Sequence, residues 1–201
     1  MFNIRLCGFL MALVLLPVFI GGSILWSTQA EAHKDHAGSM TNFIKKNELL
    51  RTLLPSGARL VKRKEALSLA AIGWARDALG VDLDNEVHTY YRANDRTSGH
   101  VLGGAIIMKY AYRHGDVILA VGIDADQKVT GVAIQGISDK YIPDFKATFG
   151  VGLLAGFDGL SVKDLVNRSA TTAPDKPSRF LNSKLAEAAV MIAAFLHSAD
   201  N

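Results

Sequence analysis

From Val101 to Gln135 the sequence alternates β-forming runs with links too short to hold a helix. Val101 to Tyr112, Val117 to Asp124 and Lys128 to Gln135 are rich in Val and Ile, residues that suit a pleated, half-buried surface. Parallel neighbours need a crossover of about a dozen residues or more, usually a helix. The links Arg113 to Asp116 and Ala125 to Gln127 leave no room for one, so these strands are restricted to an antiparallel meander. Glu86 to Arg92 adds a strand before them, followed by the turn-forming cluster Asn94-Asp95-Arg96-Thr97-Ser98-Gly99. Asp124 and Asp126, at a hairpin tip, read as turn formers rather than as an acid–base pair.

The flanking segments carry helical patterns. Thr41 to Leu54 places Phe43, Leu49, Leu50, Leu53 and Leu54 near helical spacing, and Pro55-Ser56-Gly57 ends the run. A second helix is expected from Lys64 to Leu79, with an apolar stripe of Leu67, Ala70, Ala71, Trp74 and Ala78 and a stop at Gly80. Lys62-Arg63-Lys64 then reads as a solvated helix end. After the sheet, Asp139 to Phe149 is a short helix, and the glycine-rich stretch from Gly150 to Gly159 is not one. Ser161 is placed to cap a short helix containing Asp164 and Leu165. Residues 167–179 read as a polar loop, and Ser178 to His197 as a strongly apolar final helix packed across the sheet. The expected fold class is α+β, an antiparallel β-meander packed by helices.

Residues 6–26 contain no charged side chain, and about twenty apolar residues suffice to cross a bilayer as a helix. Arg5 precedes the run, which by the positive-inside tendency leaves the rest of the chain outside the cytoplasm. Ala30-Glu31-Ala32 offers a small-x-small cleavage site, whereas the length of the run favours a retained anchor. The chain thus divides into a signal peptide or membrane anchor (1–32), a linker (33–40) and one domain (41–201). It is expected at the cell membrane by its anchor, or in the periplasm after cleavage. Cys7, the only cysteine, lies within the apolar run. The exported part therefore has no disulfide, Cys-rich zinc site, iron–sulfur cluster or haem attachment motif. A net charge of +3 argues against nucleic acid as a partner and leaves the membrane as the expected one.

Three stretches carry a family resemblance: Leu53-Leu54-Pro55-Ser56-Gly57-Ala58-Arg59, Gly99-His100-Val101-Leu102-Gly103-Gly104-Ala105, and the hairpin from Gly122 to Val132. The exported domain resembles the FMN-binding domain of the covalent-flavin subunits of Rnf and sodium-pumping NADH:quinone reductase complexes. It also resembles the exported domain of regulators of nitrous-oxide respiration. The resemblance covers most of the exported domain. It implies an FMN cofactor and a role in electron transfer within a respiratory or redox system, as a carrier rather than a stand-alone catalyst. Its implied partner is a membrane redox complex or a periplasmic electron acceptor.

In covalent members of that family a motif S/T-G-A-T-x-S/T supplies the threonine that esterifies the FMN phosphate. The nearest stretch here is Arg168-Ser169-Ala170-Thr171-Thr172-Ala173. The resemblance therefore makes Arg168, Ser169, Ala170, Thr171 and Thr172 the cofactor-binding candidates, with Thr171 as the ester site. The stretch keeps Ala-Thr, but has Arg for the first hydroxyl residue, Ser for Gly and Ala for the last Ser/Thr. Arg168 leaves noncovalent phosphate binding open. A second alignment, on Ser178-Arg179, puts Asp175 where the threonine should stand, and an aspartate would repel phosphate. These departures keep an alternative in view: an accessory, sensor or assembly module that retains the fold without flavin.

Other chemistry is sparse. His33 and His36 are three apart and would share a metal only if helical; a flexible linker is the plainer reading. His88 reads as a packed or rim residue, His100 and His114 flank one strand, and His197 ends the last helix, where its charge suits the dipole. Tyr141, Phe145 and Phe149 have the spacing of a core-facing stripe and would equally serve to stack on a flavin ring. No nucleophile elbow, zinc-protease motif or phosphate loop occurs, and no catalytic residue is assigned.

Overall fold

A computed structural model describes residues 37–146, 154–171 and 175–199. The apolar run at 6–26, the cleavage site, His33 and His36, Phe149, most of the glycine-rich stretch and Thr172 lie outside them. The described part is an α+β fold built on a six-stranded antiparallel sheet.

The strands are β1 (Met40–Asn42), β2 (Arg59–Ala66), β3 (Val87–Asn94), β4 (Val101–Tyr112), β5 (Gly115–Asp124) and β6 (Val129–Ser138), in spatial order β1-β6-β5-β4-β3-β2. β3 to β6 form the expected meander, and β2 extends it by one strand that the sequence did not announce. β1 joins at the far side of β6, pairing Met40 with Ser138 and Asn42 with Gly136. The chain therefore starts at one edge, crosses the sheet through helix α1 (Lys46–Leu53), and enters β2 at the other edge. At the β5–β6 tip the Lys128 amide donates to Asp124 Oδ1 at 2.8 Å, and Gln127 takes a left-handed φ of 60°. Asp124 is thus a turn former, as its position in the sequence implied.

The two faces are covered differently. Leu49, Leu50, Leu53 and Leu54 of α1 and its end lie over a floor of small residues, Ala93, Ala105, Ala120 and Ala133. Glycine takes the fit further: a Cβ at Gly122 would stand 2.5 Å from the Leu53 carbonyl oxygen. The Thr130 hydroxyl donates to that same carbonyl, satisfying one of the acceptors a helix leaves open at its end. An eight-residue helix is marginal by itself, so this seating holds α1 in place.

The opposite face carries α5 (Lys176–Ala199), whose 24 residues span roughly 36 Å. From Ala188 to Leu196 every side chain is buried, the pattern of a helix enclosed on all sides. The sheet lies on one side of it, and α2 (Leu69–Trp74) and α4 (Val162–Ala170) pack on the others. A Cβ at Gly104 would meet Ile192 Cδ1 at 2.9 Å, so the missing side chain lets β4 approach the helix. Phe195 stacks on Tyr90 with ring centroids 4.4 Å apart, and Trp74 stacks on His197 at 4.8 Å. By length and composition α5 would also suit a membrane span; its burial identifies it as the core helix.

Several boundaries differ from the sequence reading. The expected helix from Lys64 is preceded by a strand: Arg59–Ala66 pairs along its whole length with β3, Lys62 opposite Tyr91 and Lys64 opposite Thr89. The Lys62-Arg63-Lys64 cluster is therefore the charged rim of an edge strand, where lysine discourages pairing with other chains. Helix α2 begins only after Ser68, whose Oγ accepts from the Ala71 amide at 3.1 Å, and it continues as a π-type turn to Leu79. The expected helix from Thr41 opens instead with β1. The expected loop at 167–179 is helical to Ala170 and again from Lys176. The helix expected from Asp139 is a 3-10 turn followed by α3 (Ile142–Phe145).

Gly122→Ala must move backbone and is expected to lower stability by about 1–3 kcal/mol in urea unfolding. Gly73, within α2, has nothing within 4 Å of an added Cβ, and Gly73→Ala is expected to be neutral or stabilising by up to about 1 kcal/mol.

Candidate functional site

The candidate flavin-anchoring residues Arg168, Ser169, Ala170 and Thr171 lie at the carboxyl-terminal end of α4. That helix is started by a capping box: Ser161 Oγ accepts from the Asp164 amide at 3.1 Å, and Asp164 answers to the Ser161 amide at 3.3 Å. Leu165 and Val162 fix its inner face in the core. Its last turn then places Thr171 at the C-cap, with the hydroxyl donating to the Arg168 carbonyl at 2.7 Å. Ser169 Oγ donates to the Val166 carbonyl at 2.7 Å. Arg168 turns away from both: Nη1 donates to the Gly156 carbonyl at 2.9 Å, and the guanidinium lies 4.4 Å from the centre of the Phe157 ring.

A phosphate held here would face the negative end of a helix dipole. The nearest amino-terminal helix end, that of α5, is already occupied by a carboxylate. Asp175 Oδ1 accepts from the Ser178 amide at 2.8 Å and Oδ2 from the Ser178 hydroxyl at 3.0 Å. Asp175 thus does as a cap what a bound phosphate would do as a ligand. The described members of the stretch do not fit the phosphate of FMN.

The other sequence candidates separate in space or settle into the core. Tyr141 and Phe145 are buried and pack edge-to-face on Tyr112, with centroids 5.5 and 4.8 Å away. Tyr112 donates to Asp144 Oδ2 at 3.1 Å, and Arg113 pairs with the same carboxylate. Burial, then Asp144, push the Tyr112 phenol up from its ordinary value. These rings serve one another. His100 and His114 stand beyond opposite ends of β4, roughly 40 Å of strand apart, and share no ligand. His88 is a rim residue, its Nε2 3.4 Å from Asp84 Oδ1 and its ring edge-on to Phe195. Asp84, Glu86 and His88 bring ligand atoms within 4.8 Å of one another at the exposed start of β3. The Asp84 carboxylate there also accepts from the Glu86 amide. In the Gly99–Ala105 stretch Gly103 and Gly104 approach protein, whereas Gly99 faces open space: a Cβ at Gly103, whose φ is +155°, would stand 2.3 Å from the Ile123 carbonyl oxygen of β5.

A concave feature lies among residues that no sequence motif singled out. On the α1 face, beyond the amino-terminal end of α1, an open cleft of about 350 Å³ is lined by Lys46, Lys62, Thr89, Tyr91, Ile107, Lys109, Ile118 and Gln135. Tyr91 is 7 % exposed, and its hydroxyl is buried without a hydrogen-bond partner. An unsatisfied buried group of this kind costs about 1–3 kcal/mol. Lys46 Nζ lies 5.2 Å from the ring centre. Lys109 is held by Asp116 at 3.2 Å. The neighbouring Tyr90, on the opposite face, is by contrast satisfied: it donates to Glu65 at 2.5 Å, and burial, then Glu65, push its phenol up. Two adjacent tyrosines in a strand point to opposite faces, but only the register and the cover on each face distinguish the partnered one from the orphan.

No family model matches the chain, and neither a curated protein nor a solved structure does.

Asp175→Ala is expected to cost about 1 kcal/mol by loss of the cap. Thr171→Val, at an exposed C-cap, is expected to stay within about 0.5 kcal/mol of the parent. Thermal unfolding of the two variants side by side checks both.

Proposed function

We propose that this chain is an exported, membrane-associated accessory, sensor or assembly module, one that keeps an FMN-binding-like fold without covalently attached flavin. The resemblance of the Gly122–Val132 hairpin supports the family, and the apolar run at 6–26 supports an amino-terminal anchor or signal helix. The observation that carries the reading is the arrangement around Thr171. Its hydroxyl is given to the Arg168 carbonyl at a helix carboxyl terminus, and Asp175 holds the amino terminus of α5. A fold of this kind hosts function through a grafted site, and among the described residues the hydroxyls of Ser169 and Thr171 both donate to carbonyls of their own helix.

The second reading, a flavin electron carrier in a respiratory or redox system, keeps its support from the breadth of the resemblance. In that role FMN would supply the two-electron to one-electron chemistry, and the protein would bind and orient it. The contact to Gly156 occupies one guanidinium nitrogen of Arg168.

Visible absorbance of the full chain, purified from its own membrane after export, separates the two. A colourless protein that leaves the spectrum of added FMN unchanged is the expected result. Flavin that survives acid precipitation and disappears in Thr171→Ala would overturn it. Flavin released by precipitation would favour the noncovalent electron carrier.

A further inference from the structure

We propose that the cleft under Tyr91 is a binding site for a small organic oxyanion, a phosphate or carboxylate group carried on an apolar body. Four observations converge on it. First, the Tyr91 hydroxyl is a donor buried without a partner. A phenylalanine would fill the same space without that cost, so the hydroxyl is explained by a ligand that accepts from it. Second, positive charge gathers around the ring. Lys62 stands directly across the β2–β3 pair from Tyr91, and Lys46 lies over the ring face. Among the described residues no carboxylate pairs with either. Lys109 is neutralised by Asp116, so the uncompensated charge is that of two ammonium groups. Third, Lys46 is the first residue of α1, whose N-cap position supplies no side-chain cap. The first turn carries one acid, Glu48, and the open backbone amides of that helix end lie at the rim of the cleft. Fourth, Ile107 and Ile118 give the cleft an apolar wall, while Thr89 and Gln135 add hydrogen-bonding groups.

Cations, a neutral donor and an apolar wall together select an anion with an apolar body over a bare ion or a neutral hydrocarbon. The site is separate from the Arg168–Thr171 stretch. That stretch belongs to the α5 side of the sheet, where Leu165 and the α4–α5 packing lie, whereas Tyr91 belongs to the cluster under α1. Oxyanion binding in the cleft and the absence of covalent flavin therefore stand or fall separately.

Calorimetric titration of the full-length protein with phenyl phosphate and, separately, with benzoate tests the site. Saturable binding of at least one probe is expected, and the tighter of the two identifies the group preferred. Tyr91→Phe should weaken it by about tenfold or more, the effect of losing a hydrogen bond to a charged group. The same variant should keep or raise the melting temperature, since it removes an unsatisfied buried hydroxyl. Lys62→Gln, on the exposed edge strand, should weaken binding with the fold unchanged. Failure of both probes to bind the parent, or equal binding by parent, Tyr91→Phe and Lys62→Gln, would overturn the proposal.

Discussion

The seating of α1 on the glycine and alanine floor of the sheet is the constraint on which the rest of the architecture depends. The Leu53 carbonyl comes to where a Gly122 side chain would be and takes the Thr130 hydroxyl as its donor. That approach lets a short helix carry the chain from β1, on one edge, to β2, on the other. With α1 held, β1 pairs with the end of β6, and β2 begins the meander at the opposite edge. The helix covers only part of its face, and the cleft at Tyr91 is one of the places left open.

The second face shows the same device with a larger helix. Gly104 removes a side chain where Ile192 and Leu196 approach, and Phe195 lies flat on Tyr90. Small residues in the sheet thus bring both helical layers close. Here they serve helix–sheet and strand–strand packing.

Helix polarity sets the character of the two described ends of the 168–175 segment. One helix ends at Thr171 and the next begins after Asp175, so the short connection has carbonyl oxygens at one side and a capping carboxylate at the other. In the sequence the Ala-Thr pair resembled an anchor motif, and the prolines and Asp175 that follow it looked like loop residues. The identity of Asp175 was the informative signal, because an aspartate that caps a helix amino terminus takes the position an anion would otherwise use.

The sequence by itself determined the antiparallel core of the sheet, the cap of α4 at Ser161 and the buried character of α5. Each rests on short-range chemistry: links too brief for a crossover, a hydroxyl followed by an acid, and an unbroken apolar run. Tertiary structure decided the rest. β2 has the composition of a solvated helix end and becomes a strand only because β3 offers it a full ladder of hydrogen bonds. β1 likewise exists by pairing with residues nearly a hundred positions away. Tyr90 and Tyr91 are indistinguishable as neighbours in a β-forming run. One is satisfied by Glu65 and packed on Phe195, while the other has an unpartnered hydroxyl, with Lys46 over its ring and Lys62 opposite it on β2. That difference depends on register and on which helix covers which face, and both follow from long-range packing that no local pattern encodes.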